Sequence, residues 1–383
     1  MARKKIKNVK DTLHVHSKAK VEFYGTYLER YLRILNNVPY IQKINLYDVF
    51  CGTGIYDNGG KGSPIVAFDA IKKAFYEQGQ VKKVSLTVND YKQDKIDSVK
   101  AYIDANNKGC CDVSYLNLDA GEMFEYVKKQ IKQSDKTCRN LIFIDPYGYK
   151  TIKKETINEM MGKGYTEIIL FLPISHMHRF LGPALTDDKP QYKPLRDFVD
   201  SFFDEKHVIR QGKVSVLEYI KYVKDALNFE NSYYTTSYFI ERDDVNYFAL
   251  FFLSSNILGF EKILEVKWGL DAETGSGFKQ EEPQLDLFAE QVKEETKKNN
   301  FEALKEALLS YIAEPKNNHE VYLYTLMNGY LPTHANEVFQ CLQNNNKAFR
   351  VVDIKKGANA RRSSFYLSYQ HYKNDPKVQF RLD

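Results

Sequence analysis

Four short apolar runs in this chain each close on an aspartate. INLYDVF (44–50) carries Asp48, VSLTVND (84–90) ends in Asp90, DVSYLNLD (112–119) in Asp119, and LIFID (141–145) in Asp145. A fifth run, TEIILFLPI (166–174), follows. Between them lie segments with helical recurrence of apolar residues: from Ser63-Pro64 to Phe75, then about 92–105, 121–133 and 151–161. Unbroken apolar runs suit strands buried on both faces. Their alternation with helices predicts a parallel sheet covered on both sides. Strands are depleted in Asp, so four acids at one edge mark that edge for use. It is also where open α/β sheets bind their ligands.

An early helix is expected over 16–36, with Phe23, Tyr24, Tyr27, Leu28, Tyr31, Leu32 and Leu35 along one stripe. Helical material at about 175–231 interrupts the alternation. Two strands around Glu241-Arg242-Asp243-Asp244 then read as an antiparallel hairpin, and a helix spans 258–268. These segments make one domain, 1–278. The charge-rich stretch 279–300 reads as a linker. Residues 301–383 restart as a small unit: helices at 301–312, 319–330 and 332–346, then strands FRVVDI and SSFYLSY joined by KKGANARR (355–362). Three helices and a basic-tipped hairpin are the order of a winged helix.

No apolar run approaches the roughly 20 residues that span a bilayer, and the first residues lack the apolar stretch of a signal peptide. Five cysteines form no CxxC pair. A reduced, cytoplasmic protein without membrane contact, structural zinc or a disulfide frame is expected. The net charge of +5 is unevenly spread: residues 1–20 carry +6 and residues 347–383 another +6, leaving −7 between them. Basic ends on an acidic body suit a polyanion such as nucleic acid; solvated tails are the plainer alternative. In the second unit Lys355, Lys356, Arg361 and Arg362 are the candidates for phosphate contact.

The first run continues into Phe50-Cys51-Gly52-Thr53-Gly54, where alternate glycines let the backbone turn beneath a ligand. The second-run acid stands where a carboxylate can take two ribose hydroxyls. With these features the chain resembles class I S-adenosylmethionine-dependent methyltransferases. The resemblance implies a Rossmann-like sheet, mostly parallel with an antiparallel final hairpin, and S-adenosylmethionine as cofactor. It assigns Asp48, Phe50, Gly52 and Gly54 to the methionine part, Asp90 to the ribose, Asp119 to the adenine amine, and Asp145, Pro146 and Tyr147 to the reacting end. Within that superfamily the early helix from His16 and Lys18, DVFCGTGIY with KGSPIVAFDA, FIDPYG, and LGFEKILEVKWGLD (258–271) resemble the three-Cys-motif partner proteins of bacteria. That family is named for its association with a radical-SAM-like protein bearing three cysteines, which the resemblance implies as a partner. Asp48 and Asp90 lie 42 positions apart, about twice the usual fingerprint spacing, and the insertion IYDNGGKG (55–62) accounts for part of it.

In base amino-methyltransferases a (D/N/S)PP(Y/F) motif stands where this chain has Asp145-Pro146-Tyr147-Gly148. There an acceptor draws the amine protons out of plane and a ring stacks on the base. DPYG is more similar to the DPFG-type motif of tRNA guanine-N2 methyltransferases, which favours RNA over DNA. The expected function is therefore methylation of an exocyclic amine of a nucleic acid base. A methyltransferase-like partner protein without turnover is the alternative; such a protein would be expected to lose the strand-end acids or the glycine turn, and this chain keeps them. A nuclease or phosphodiesterase is a third reading, since clustered acids can hold Mg²⁺, but no lysine sits in a recognisable cleavage motif. His176-Met177-His178 lacks a third ligand and reads as ordinary loop, so no metal site is assigned.

Overall fold

The computed structural model describes residues 13, 15–79, 82–243, 246–279, 289–345 and 348–382. The basic run 1–12 and the hairpin tip at 244–245 lie outside the described residues. The chain divides into two compact units, Met1–Gly259 with Phe278–Gln280, and Phe260–Gly277 with Glu281–Asp383.

In the first unit α1 (Val15–Asn36) precedes β1 (Lys43–Asp48), α2 (Ser63–Gln78), β2 (Lys83–Asn89), α3 (Gln93–Asn106) and β3 (Asp112–Leu116). Then come α4 (Ala120–Gln133), β4 (Cys138–Ile144), α5 (Lys154–Met161) and β5 (Thr166–Leu172). The stretch read as helical at 175–231 forms α6 (Ile174–Arg179), α7 (Leu181–Thr186), α8 (Lys193–Phe202) and α9 (Val216–Ala226). β6 (Tyr234–Asp243) and β7 (Asn246–Ser254) make the hairpin; α10 (Ile257–Leu270) and β8 (Gly277–Lys279) follow, each divided between the units.

The sheet order is β3-β2-β1-β4-β5-β7-β6-β8. β1 to β5 are parallel, and β7 runs antiparallel to both β5 and β6. This is the Rossmann-like sheet with a reversed final hairpin that the sequence predicts. The central strands are buried on both faces, every residue of β5 included, which is why they read as continuous apolar runs. Successive side chains point to opposite faces. Tyr47, Val49, Ile142, Ile144, Ile168 and Leu170 meet Met123, Phe124 and Val127 of α4 and Phe198 of α8. On the other face the α1 stripe lies down: Tyr24 stacks on Phe143 with centroids 4.3 Å apart, Tyr27 meets Phe252 edge-on at 5.0 Å, and Phe23 packs at 4.9 Å from Tyr238. The helix after the glycine turn starts with Gly62 at the N-cap position, which supplies no side-chain cap, and Pro64 in the first turn.

A buried carboxylate ties α1 to the sheet. Glu167 of β5 accepts a short hydrogen bond from the Tyr27 hydroxyl and one of 2.8 Å from Ser254. Burial pushes its pKa up to about 7, against the pull of these two donors.

The second unit holds α11 (Ala289–Tyr311), β9 (Lys316–Asn317), α12 (Asn318–Met327), α13 (Pro332–Asn345), β10 (Phe349–Asp353), α14 (Tyr369–Tyr372) and β11 (Val378–Leu382). Its small antiparallel sheet has the order β10-β11-β9. Phe339 of α13 packs on Phe349 and Phe380 of that sheet, with centroids 5.4 and 4.5 Å away. Two expectations are corrected. Residues 289–300, read as linker, are helical and continuous with the helix expected from 301. SSFYLSY is not a strand: Ser363 and Tyr366 take φ of 59° and 55°, which breaks an extended run. The partner of β10 is β11, while Phe365 and Leu367 still bury their side chains. Among the described residues no helix is long and apolar enough to cross a membrane.

Tyr27→Phe removes one of the two donors to a fully buried carboxylate. It should lower the stability of the first unit by about 1–3 kcal/mol, read from the denaturant midpoint. An unchanged midpoint would mean that Glu167 is held without the tyrosine.

Candidate active site

β1 and β4 are neighbours, and from them the connections lead outward in opposite directions. At such a switch point a crevice opens beyond the carboxyl ends of the strands. Asp48 is the last residue of β1, and Asp145 follows the last residue of β4. Asp48 stands in register with Phe143, the residue on which Tyr24 stacks, so its carboxylate lies on the α1 side.

Asp48 is inaccessible to solvent, and neither carboxylate oxygen has a hydrogen-bond partner among the described residues. Burial pushes its pKa up to about 7; the charge of Asp145 adds to the rise, while Ser63, Lys20 and the Phe50 backbone oppose it. Buried polar groups are almost always satisfied, and an unpaired charge is the costliest to leave. An orphan carboxylate at a switch point is therefore placed for something outside the described residues.

The turn beyond it leaves room. Gly52 and Gly54 have φ of +66° and +80°. A Cβ on Gly54 would meet Val99 Cγ2 at 2.8 Å, so packing alone demands glycine there. A Cβ on Gly52 would meet nothing within 4 Å. The backbone of Gly52 faces open space. Phe50 turns away, packing edge-on at 6.2 Å against Phe124.

Asp90 is almost wholly buried but amply satisfied. Its oxygens accept from Gly52 N at 3.1 Å, Lys92 N at 3.0 Å and the Tyr147 hydroxyl at 3.3 Å, with Lys95 Nζ 3.9 Å away. Asn89 fixes the strand ends around it: its amide donates to Val49 O and Leu118 O at 3.1 and 3.2 Å, and its carbonyl accepts from Leu118 N at 2.9 Å. Asp119 takes part in a different arrangement. It is exposed and caps α4, accepting from Glu122 N at 2.9 Å while its own N–H donates to Glu122.

Asp145 pairs through a short contact with Lys20 of α1, whose ammonium also lies 4.6 Å from the centroid of the Phe171 ring. Pro146 is buried and Tyr147 is 63% exposed. The Tyr147 ring stands edge-on to Tyr91 at 6.0 Å, and Lys95 lies over it at 4.7 Å while bonding its hydroxyl. Tyr147 thus links the end of β4 to the acid after β2. Burial, followed by the Asp90 charge, raises its pKa.

The structure gathers Asp48, Gly52, Gly54, Asp90, Asp145 and Tyr147 around one crevice and leaves Asp119 at a helix cap. Lys20, Lys95 and Asn89 join them without having been singled out. Lys20 had a signal: it falls three, four and seven residues before Phe23, Tyr24 and Tyr27, a lysine heading an apolar stripe. His176 and His178 sit on α6 rather than in a loop; His176 Nδ1 is 3.3 Å from the Tyr149 hydroxyl and His178 Nε2 2.6 Å from Val214 O. In the second unit Lys355, Lys356, Arg361 and Arg362 are all exposed. The backbone N–H groups of both lysines donate to Asp353 at 3.0 Å, and Arg362 bonds Asn344 at the end of α13.

No family model matches the chain, and no curated protein matches it. Among solved structures, a Legionella pneumophila protein of the family model DUF519 has 12% identity and a TM-score of 0.40, over 68% of this chain and 92% of that one. WbdD has 9% identity and a TM-score of 0.33, over 66% of this chain. The chain spans 45% of the length of WbdD. An O-methyltransferase from Bacillus cereus, solved with SAH, has 13% identity and a TM-score of 0.33, over 63% and 87%. These likenesses add nothing to what the strand order already establishes.

The raised pKa of Asp48 has a definite sign in stability. From about pH 4 to pH 7 the unfolded chain ionises this carboxyl while the folded chain keeps it protonated, so stability falls as pH rises through that window. Glu167 acts in the same direction. Asp48→Asn should therefore gain stability over wild type progressively across that window, read from denaturant midpoints. Parallel pH profiles for the two proteins would show that Asp48 is ionised throughout.

Proposed function

We propose that the chain is an S-adenosylmethionine-dependent methyltransferase acting on an exocyclic amine of a nucleic acid base, with RNA favoured over DNA. The observation that carries this reading is the buried, partnerless Asp48 at the switch point, beside a turn whose Gly52 opens onto free space. The residues present fit the cofactor. Asp48 and the Cys51–Gly54 turn would hold its methionine part, where a cationic ammonium group gives the orphan carboxylate its missing partner. Asp90 would take the ribose hydroxyls in place of the tyrosine hydroxyl that it now accepts. The bound cofactor supplies an activated methyl group.

The chain's own residues then prepare the acceptor. Asp145 is held in place against Lys20. A carboxylate at that point draws an amine proton out of plane and concentrates the nitrogen lone pair, an effect of preorganised charge. The exposed ring of Tyr147 gives a base a face on which to stack, worth roughly 1–3 kcal/mol. In the second unit the order helix, strand, helix, helix, strand, short helix, strand supports a winged-helix reading, with Lys355, Lys356, Arg361 and Arg362 as phosphate contacts. DPYG, closer to DPFG than to DPPY, supports a guanine amine in RNA.

Calorimetry should detect S-adenosylmethionine binding, with protons released near neutral pH as Asp48 ionises. Gly52→Val should abolish it, because the branched side chain enters the free space and cannot hold positive φ at low cost. A folded Gly52→Val protein with wild-type affinity would remove the turn from the site.

Asp145→Ala should keep cofactor affinity and lower methyl transfer on the order of 10²–10³-fold. Tyr147→Ala should weaken substrate binding as well. Normal turnover by both variants would reduce DPYG to a turn and leave the non-catalytic binder as the better account. The substrate itself is named by mass spectrometry of nucleosides from cells with and without the gene.

Reversing Arg361 and Arg362 to Glu should flatten the salt dependence of oligonucleotide binding, by about 0.7–0.9 logarithmic units for each phosphate that is no longer neutralised. Filter binding across a salt series measures the slope. An unchanged slope would mean that the basic segment does not touch phosphate.

A further inference from the structure

The segment LGFEKILEVKWGLD was part of the sequence signature, yet its tryptophan takes no part in the crevice between β1 and β4. Trp268 lies in the second unit, where it borders a cavity of about 230 Å³ with Tyr330, His334, Glu273, Glu337 and Lys297. Three rings converge there. His334 meets the indole at 4.4 Å and 71°, Tyr330 lies 5.9 Å from the indole at 30°, and His334 is nearly perpendicular to Tyr330.

The walls are fixed rather than merely present. Trp268 Nε1 donates to Gly329 O at 2.8 Å. Gly275 lies so close to the indole that a Cβ there would meet its ring atoms at 2.7–2.9 Å. The loop carrying Glu273 is anchored on the Asp271 carboxylate, which accepts from the backbone N–H groups of Glu273, Thr274, Ser276 and Gly277 at 2.9–3.2 Å. Asn300 closes the loop from α11, donating to Glu273 O at 2.6 Å. Such bracing is more than a packing defect requires.

The chemistry of the lining selects a charge. Indole has the strongest attraction for a cation among the aromatic side chains, and tyrosine adds a second electron-rich face. His334 does not compete as a cation: burial lowers its pKa, and its Nδ1 accepts from Leu331 N at 3.2 Å, leaving Nε2 as the protonated nitrogen. Glu273 and Glu337 place two carboxylates on the lining against one ammonium, Lys297. Lys293, 3.6 Å from Glu273, partly offsets that acid from outside the lining.

We infer that this cavity is a binding site for a small organic cation of the alkylammonium class, held on the Trp268 and Tyr330 rings with Glu337 as its exposed counter-charge. The residues of this site all belong to the second unit, and the inference does not depend on the reading of the crevice at β1 and β4.

Trp268 is the single tryptophan of the chain, so its fluorescence reports on this cavity and on nothing else. The full-length protein is titrated with choline and, separately, with 3,3-dimethylbutan-1-ol, which has the same shape without the charge. Choline should change the emission saturably, and the alcohol should act only at much higher concentration. Glu337→Gln should weaken choline by about 2- to 5-fold, the range for an exposed ion pair, and Lys297→Gln should strengthen it. Both side chains lie at the cavity rim, and an unchanged emission maximum in the free variants checks that the walls are intact. Equal response to choline and the alcohol would overturn the inference, leaving an apolar cavity only. So would no saturable response to either, or choline binding indifferent to both substitutions.

Discussion

A carboxylate with no hydrogen-bond partner among the described residues, sealed at the end of a central strand, is the constraint around which the first unit is arranged. Asp48 cannot reach water, and no donor among the described residues forms a hydrogen bond with its oxygens. Replacement by an apolar residue would relieve the cost, so its presence ties stability to whatever completes it. The neighbouring groups fit this account. Lys20 approaches from α1 but pairs with Asp145 instead, and Ser63 and the Phe50 backbone only moderate the rise in pKa. Stability is given up where a ligand would restore it.

Asp90 is the counterpart. It is as deeply buried, yet it is supplied with backbone and side-chain donors from the glycine turn after β1, the start of α3 and the segment after β4. The two acids therefore stand in different states: Asp48 waits for a partner, while Asp90 has one to exchange. The Tyr147 hydroxyl is the exchangeable one, because it comes from an exposed side chain on a turn, whereas Gly52 N and Lys92 N are fixed by the backbone. An aromatic ring held by its hydroxyl over an acid is released when that acid changes partner. The end of β4 and the acid after β2 are thereby coupled through a single hydrogen bond.

The sheet was legible because β1, β2, β4 and β5 are buried on both faces and so carry unbroken apolar runs. The strand-end acids were legible for the same reason, since a charge stands out against such a run. Asp119 shows the limit of that signal. An aspartate after a strand is also an aspartate before a helix, and here the capping box with Glu122 explains it fully. Lys20 heads the apolar stripe of α1, but its pairing was hidden by distance, since Asp145 lies 125 positions away. SSFYLSY misled because its alternation is real, with Phe365 and Leu367 buried, but left-handed residues inside it break the strand. Residues 289–300 misled because a helix with few apolar residues has the composition of a linker. The aromatic cavity had no linear signal, since its rings come from segments more than 60 residues apart.

The docking of α1 has a consequence in time. The stripe of this first helix closes against Tyr238 and Phe252 of the last hairpin, and Tyr27 reaches Glu167 alongside Ser254. A chain emerging from the ribosome makes α1 first and its covering partners more than 200 residues later. Until then Phe23 and Tyr27 lack the hairpin rings against which they pack, although Tyr24 and Lys20 can already meet Phe143 and Asp145. Contacts of such sequence separation are formed late and slow the folding of the whole unit. The Lys20–Asp145 pair spans 125 positions, so a nascent chain that has not yet reached the end of β4 carries Lys20 without the acid it pairs with.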